Sequence, residues 1–286
     1  MAAGLHSGAM GRRGGTLLAA AAATVLGIAL VVAGASAGIW PELPGMGDLL
    51  ELPSAFEPSG QPDDLVPDES VPPPMPVEDL YAAFTTPGAT ARSYGAPVTL
   101  SSAAAGSVVL PSGRLVAADG MVITGAEPFT TTVPPGVHLV TVLTADWPDD
   151  GDHRVAAAMV RVAEGEPLTW EPALLEDQDP STLGPDEGFG YGVDSGSGAF
   201  MGPEAVAALE DEDAYQAYSD EAFATMYPDD GTVVDSAAVV VDPASGANVV
   251  TFSSGFGDGL YSTWVGLDAD GRPVVFVTDF WVLDAG

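Results

Sequence analysis

Three aspartates stand where a carboxylate can do chemistry: Asp194, Asp258 and Asp279. Asp279 is the most unusual. It lies within the run Arg272–Val282, where Val275, Val277 and Trp281 share its face and Val274, Phe276, Phe280 and Val282, with Thr278, share the other, both mostly apolar. A strand of that pattern is buried on both faces, and a carboxylate within it needs hydrogen bonds or a cation, or its pKa rises until it is neutral. Two readings follow. In one, Asp279 accepts bonds from backbone N–H groups of the Gly255–Gly259 loop and holds that loop in shape. In the other, Asp279 and Asp258 form a carboxylate pair that binds a cation or moves a proton.

The elements that position these groups follow from the turns. Leu260–Leu267 and Arg272–Val282 flank Asp268-Ala269-Asp270-Gly271, a hairpin signal in which Gly supplies the reversal. Pairing Leu267 with Arg272 puts Leu260 opposite Asp279 and Asp258 one diagonal away, about 7–8 Å. Farther upstream, Gly188–Gly202 reads GFGYGVDSGSGAFMG. It has no Lys and fits neither phosphate-binding glycine pattern. Its segment Val193-Asp194-Ser195-Gly196-Ser197 is similar to the aspartic-protease pattern, but that chemistry requires two carboxylates and no second such segment is present. The alternative is a tight turn in which Asp194 accepts bonds from the following N–H groups. If the two glycine-rich stretches converge, Tyr191, Asp194, Ser195, Ser197, Asp258, Tyr261 and Asp279 line one site.

These same stretches, SGFGDGLYSTWVGLDADGRPVVFVTDF and GYGVDSGSGAFMG, resemble a bacterial family of uncharacterised proteins, domain of unknown function 4241. The resemblance spans about Val77 to the C-terminus. It implies a domain boundary and a shared fold, with Asp194, Gly196, Gly255, Gly257, Asp258, Gly259, Tyr261 and Asp279 in the signature stretches. It implies no activity and no cofactor.

Composition narrows the function classes. The 286 residues carry 7 basic and 41 acidic side chains, a net charge of −34, with every basic residue an Arg and no cysteine. Arg12 and Arg13 precede Glu42, the first acid, so the rest of the chain sets five Arg against all 41 acids, a balance of −36. Such a surface repels phosphate backbones and argues against nucleic-acid binding. It suits a basic protein partner, or divalent cations held loosely. Without cysteine there is no thiol catalysis and no Cys zinc site, and His138 and His153 are not at ligand spacing, so no metal or cofactor is expected. The acidic loop Asp146–Asp152 is interrupted by Pro148 and departs from calcium-loop spacing.

Along the chain, 1–40 reads as a signal peptide or signal anchor. Arg12-Arg13 is followed by an uncharged apolar run long enough to cross a bilayer at about 1.5 Å per residue. Either Ala35-Ser36-Ala37 is cleaved and the body is secreted, or the helix stays as a single-pass membrane anchor. Both outcomes put the body outside the cytoplasm. Residues 41–76 form an acidic, Pro-rich, disordered linker. Residues 77–286 form one globular α+β domain, a largely antiparallel sheet of about eight or more strands with a helical insertion. Val77–Phe84 shows helical periodicity. Ser107–Leu110 with Arg114–Ala117, Gly136–Ala145 with His153–Ala163, and Val233–Val241 with Asn248–Phe252 read as hairpins. Pro203–Tyr227 reads as helix, with Pro203 at its first position. With few cations present, Arg161 is the expected partner of Asp279. The leading expectation is an extracytoplasmic, acidic binding or interaction domain that binds or neutralises a basic protein. The alternative is a hydrolase using Asp194 with Asp258 or Asp279.

Overall fold

A computed structural model of the chain describes residues 73–149, 151–183 and 188–286, all within the unit Pro67–Gly286. The expected anchor (1–40) and nearly all of the expected linker lie outside the described residues. Among the described residues, no helix is long and apolar enough to cross a membrane.

The domain is mostly antiparallel sheet with few helices. Helix α1 (Val77–Thr85) buries Val77, Leu80, Tyr81 and Phe84, the four residues that its periodicity selects. The strands then run β1 (Thr90–Ser93), β2 (Ala96–Leu110), β3 (Val116–Asp119), β4 (Gly136–Asp146), β5 (His153–Arg161), β6 (Thr169–Pro172), β7 (Tyr191–Val193) and β8 (Ser197–Met201). Helices α2 (Pro203–Ala208) and α3 (Glu212–Met226) follow. The chain ends with β9 (Ser236–Asp242), β10 (Ala247–Ser253), β11 (Gly259–Tyr261), β12 (Thr263–Leu267) and β13 (Pro273–Asp279).

These strands do not make one sheet. A seven-stranded sheet has the order β1-β2-β4-β5-β13-β12-β6, a four-stranded sheet the order β3-β8-β10-β9, and β7 and β11 form a separate ribbon. The four-stranded sheet packs on β2 and β5, and α2 and α3 cover it through β9 and β10. One apolar core lies around α1 and the large sheet and takes in Phe200, Val250 and Phe252 of the small one. A second, around Val116, Met201, Val249 and Tyr218, joins the small sheet to its helices.

The hairpins β4–β5 and β9–β10 pair as their turns predict. The expected pairing of Ser107–Leu110 with Arg114–Ala117 does not occur. The turn at Pro111–Gly113 is real, with Gly113 N–H donating to Leu110 O, but Gly113 lies against the Val133 backbone and Arg114 bridges to Thr132. The chain is thereby led out of the large sheet, and β3 pairs with β8. The two sheets are also pinned by Asn248, whose side chain accepts from Val109 N–H (2.8 Å) and donates to Ser107 O (2.8 Å). Truncating it strands polar groups beside a buried seam. Asn248→Ala is expected to cost about 2 kcal/mol in chemical unfolding, and an unchanged midpoint would show that the pin carries no load.

Candidate functional site

The two glycine-rich stretches meet. β7 and β11 pair through Tyr191↔Tyr261, Gly192↔Leu260 and Val193↔Gly259, and Ser254 N–H donates to Gly196 O at 3.1 Å. Asp194 and Asp258 flank the last pair of this ribbon, and both are exposed. The chain can fold so tightly here because Gly196, Gly255 and Gly257 all adopt positive φ. At Gly255, a Cβ would also lie 2.8 Å from Val282 Cγ2.

What ties the region together is Asp119, at the end of β3, which the sequence reading did not single out. Its side chain is 3% exposed. One oxygen accepts from Met121 N–H (2.6 Å), Val122 N–H (3.0 Å) and the Ser195 hydroxyl (2.6 Å). The other accepts from Asp194 N–H (2.7 Å) and Ser195 N–H (2.9 Å). Burial pushes its pKa up, but the bonds from the Ser195 hydroxyl and the Met121, Asp194 and Ser195 N–H groups outweigh burial and hold it below the ordinary carboxylate range. So Asp194 does not accept bonds from the residues after it. Its own N–H is a donor, and the acceptor is Asp119. Ser197 is buried, and its hydroxyl bonds to that of Ser195 at 2.8 Å. The only sequence signal for Asp119 was an Asp-Gly pair at a strand end, which reads equally well as a turn.

Asp279 is buried, with 6% exposure, as its strand pattern requires. Its partners differ from those expected. The pairing of β12 with β13 is Thr263↔Thr278, two residues away from the turn-based register, with an irregularity between Gly266 and Leu267. β11 leaves to pair with β7, so Leu260 faces Gly192 and Asp258 is not brought across from Asp279. Arg161 stands opposite Val275 and donates to the Tyr81 hydroxyl (2.6 Å) and Gly165 O (3.0 Å), leaving no buried ion pair with Asp279. Nor does the Gly255–Gly259 loop supply its hydrogen bond, which comes from Trp281 N–H at 2.8 Å. Burial pushes Asp279 up to about 7, opposed only by that N–H, and no second carboxylate contributes.

Tyr261 is buried and its hydroxyl donates to Gly257 O (2.7 Å) and Ser254 O (3.2 Å), bracing the loop that carries Asp258. Tyr191 lies across from it, its hydroxyl buried. Among the described residues, no three side chains come together as a metal cluster. In the acidic loop, Asp146 bonds His153 Nδ1 at 2.7 Å and Asp152 bonds Arg154 Nε at 3.1 Å.

Around the braced loop lies an exposed aromatic face. Phe256 contacts Tyr94 (5.5 Å between ring centroids) and Trp147 (6.3 Å), and the Arg154 guanidinium sits 5.6 Å from its ring centre. Trp281 lies 6.4 Å from Tyr261. Tyr94, Phe256, Leu260 and Trp281 are each about half exposed, at 59%, 49%, 52% and 51%. Tyr94 (φ 48°) and Trp281 (φ 55°) are also the two non-glycine residues with positive φ among the described residues. Each is held by a buried carboxylate. Asp284 accepts from Tyr94 N–H (2.9 Å) and Gly95 N–H (2.7 Å), and Asp279 accepts from Trp281 N–H. Left-handed backbone costs a bulky residue about 1–2 kcal/mol, so these two aromatics are held outward at a cost to the fold.

The family profile described as "Protein of unknown function (DUF4241)" matches residues 108–278. The chain belongs to this family. The DUF4241 match begins within β2 and ends one residue before Asp279, so it takes in Asp119, both glycine-rich stretches and Phe256. Tyr94, Trp281 and Asp284 lie outside the DUF4241 segment. No curated protein and no solved structure matches the chain.

Proposed function

We propose that this domain is an acidic protein-interaction module that binds a basic partner through the face around Phe256, and that the N-terminal segment displays it outside the cytoplasm. The observation that carries the reading is the set of half-exposed aromatics, two of them on left-handed backbone. Backbone strain of this kind collects at functional sites, and Trp, Tyr and Arg are the residues that dominate binding energy at protein interfaces. Asp258 lies two residues from Leu260, and Asp152 neutralises the Arg154 beside Phe256. The balance of −36 beyond Glu42 would attract a basic partner over a long range and speed its encounter. The tether rests on the uncharged run after Arg12-Arg13 and the Pro-rich stretch that follows it.

A random peptide library selected on the immobilised full-length chain tests this. The enriched peptides are expected to carry Arg or Lys flanking an apolar residue. Their affinity should fall about thirtyfold on Phe256→Ala, the effect of removing a hot-spot residue, and should weaken steeply in high salt. Enrichment of acidic peptides, or binding indifferent to Phe256→Ala, would refute the reading.

A further inference from the structure

Apart from the aromatic face, a half-open cleft of about 320 Å³ lies between the end of β3, the segment leading to Phe129, the stretch Ala173–Gln178 and the start of β7. Its character is set by a few side chains. Phe129 and Leu175 supply apolar wall, Asp119 and Glu127 supply carboxylates, and Tyr191 lies along one side with its hydroxyl buried in the core against Gly198. Among the described residues, no Lys, Arg or His lines it. An anion entering the cleft would meet two carboxylates and no cation. A neutral apolar molecule would gain contact with the walls and nothing from the charges. We propose that the cleft is a binding site for a small organic cation, an amine or amidine on a compact apolar body.

The roles divide by accessibility. All five hydrogen bonds to Asp119 are internal, so it acts through its field, as a fixed negative charge at the floor. Glu127 is exposed and is the group that meets the ammonium directly. The apolar body lies against Phe129 and Leu175. Gly192, on the wall, leaves the entrance open. A side chain there would meet no protein atom within 4 Å, and its φ is not left-handed, so the position tolerates a larger residue without strain.

That freedom supplies the test. Benzylammonium, benzyl alcohol and benzoate have the same ring and differ in charge. Ligand-observed NMR on the full-length chain is expected to rank benzylammonium first and benzoate last. Gly192→Leu should weaken benzylammonium at least tenfold while the melting temperature holds, because it fills the entrance and leaves the charge unchanged. Glu127→Gln, an exposed substitution that does not threaten the fold, should weaken it about threefold to fivefold, the range of a solvent-exposed ion pair. The proposal fails if none of the three binds, if benzyl alcohol or benzoate binds as tightly as benzylammonium, or if Gly192→Leu leaves binding unchanged.

Discussion

Between pH 4 and pH 8 this protein is expected to lose stability, whereas most carboxylate-rich proteins gain it over the lower part of that range. The cause is Asp279. Its folded pKa, about 7, lies above the ordinary 3.8. As pH rises from about 4 to about 7, the unfolded chain releases this proton while the folded chain keeps it, so the equilibrium moves toward the unfolded state. Above pH 7 both states are ionised and the loss is complete. A rise from 3.8 to about 7 corresponds to about 4 kcal/mol. His153 acts in the same direction. Burial lowers its pKa, but bonds to Asp146 at 2.7 Å and Asp235 at 2.6 Å raise it above the ordinary value overall. Its contribution is present below pH 6.5 and fades as pH rises through the folded pKa. Asp119 acts oppositely at the acid end. Its lowered pKa stabilises the fold above about pH 4, and that stability is lost as pH falls through the folded value. The optimum therefore lies at weakly acidic pH. Asp279→Asn keeps the shape and an acceptor for Trp281 N–H, and it removes the ionisation. Chemical unfolding at pH 5 and pH 8 should show the wild type several kcal/mol weaker at pH 8 and the variant with most of that difference gone. Equal pH dependence in the two proteins would mean that Asp279 is ionised in the fold without penalty.

The second large effect is predicted at Asp119. Asp119→Ala would leave four N–H groups and one hydroxyl without their acceptor, in a place that water reaches poorly. Hydrogen bonds to a charged group are each worth about 1.5–3 kcal/mol, and stranded buried donors add their own penalty. Because several of these donors can relax toward solvent, the expected loss is about 3–5 kcal/mol, the range for breaking a buried network. Asp194→Asn and Asp258→Asn, at exposed positions of the same ribbon, should stay within about 0.5 kcal/mol of wild type. This contrast separates the carboxylate that builds the loops from those that only decorate them. Should Asp194→Asn prove the damaging change and Asp119→Ala the mild one, Asp119 would not be the carboxylate that holds these loops.

The parts of this fold that could be read from the sequence are those that local periodicity determines. Val77, Leu80, Tyr81 and Phe84 recur at helical spacing, and that face is buried. Asp146–Asp152 joins two apolar runs, and β4 and β5 pair across it. The two-sided apolar pattern of β13 gave its burial, and with it the raised pKa of Asp279. What could not be read was decided by distant partners. The irregularity at Gly266/Leu267 shifts the register by an amount that the turn Asp268–Gly271 does not reveal. β11 abandons its neighbour for a strand nearly seventy residues earlier. Asp119 has no periodic signature, and its importance comes from donors on a segment 75 residues away in sequence. Tyr94-Gly95 is a two-residue reversal with both φ values positive, the geometry that joins tightly paired strands, but Tyr at the first position concealed it. The aromatic face was hidden for the same reason. Tyr94, Trp147, Phe256 and Trp281 come from four separate turns or loops, and only the folded chain brings them together.

On the proposed function, Phe256 and its neighbours serve binding and do little for stability. The most direct measurement is therefore Phe256→Ala in the full-length chain, followed at once by chemical unfolding and by affinity for a selected basic peptide. Stability is expected to stay within about 1 kcal/mol of wild type, because the side chain is half exposed, while affinity falls about thirtyfold. A large loss of stability with affinity retained would contradict the proposed function, and would make the aromatic face part of the scaffold.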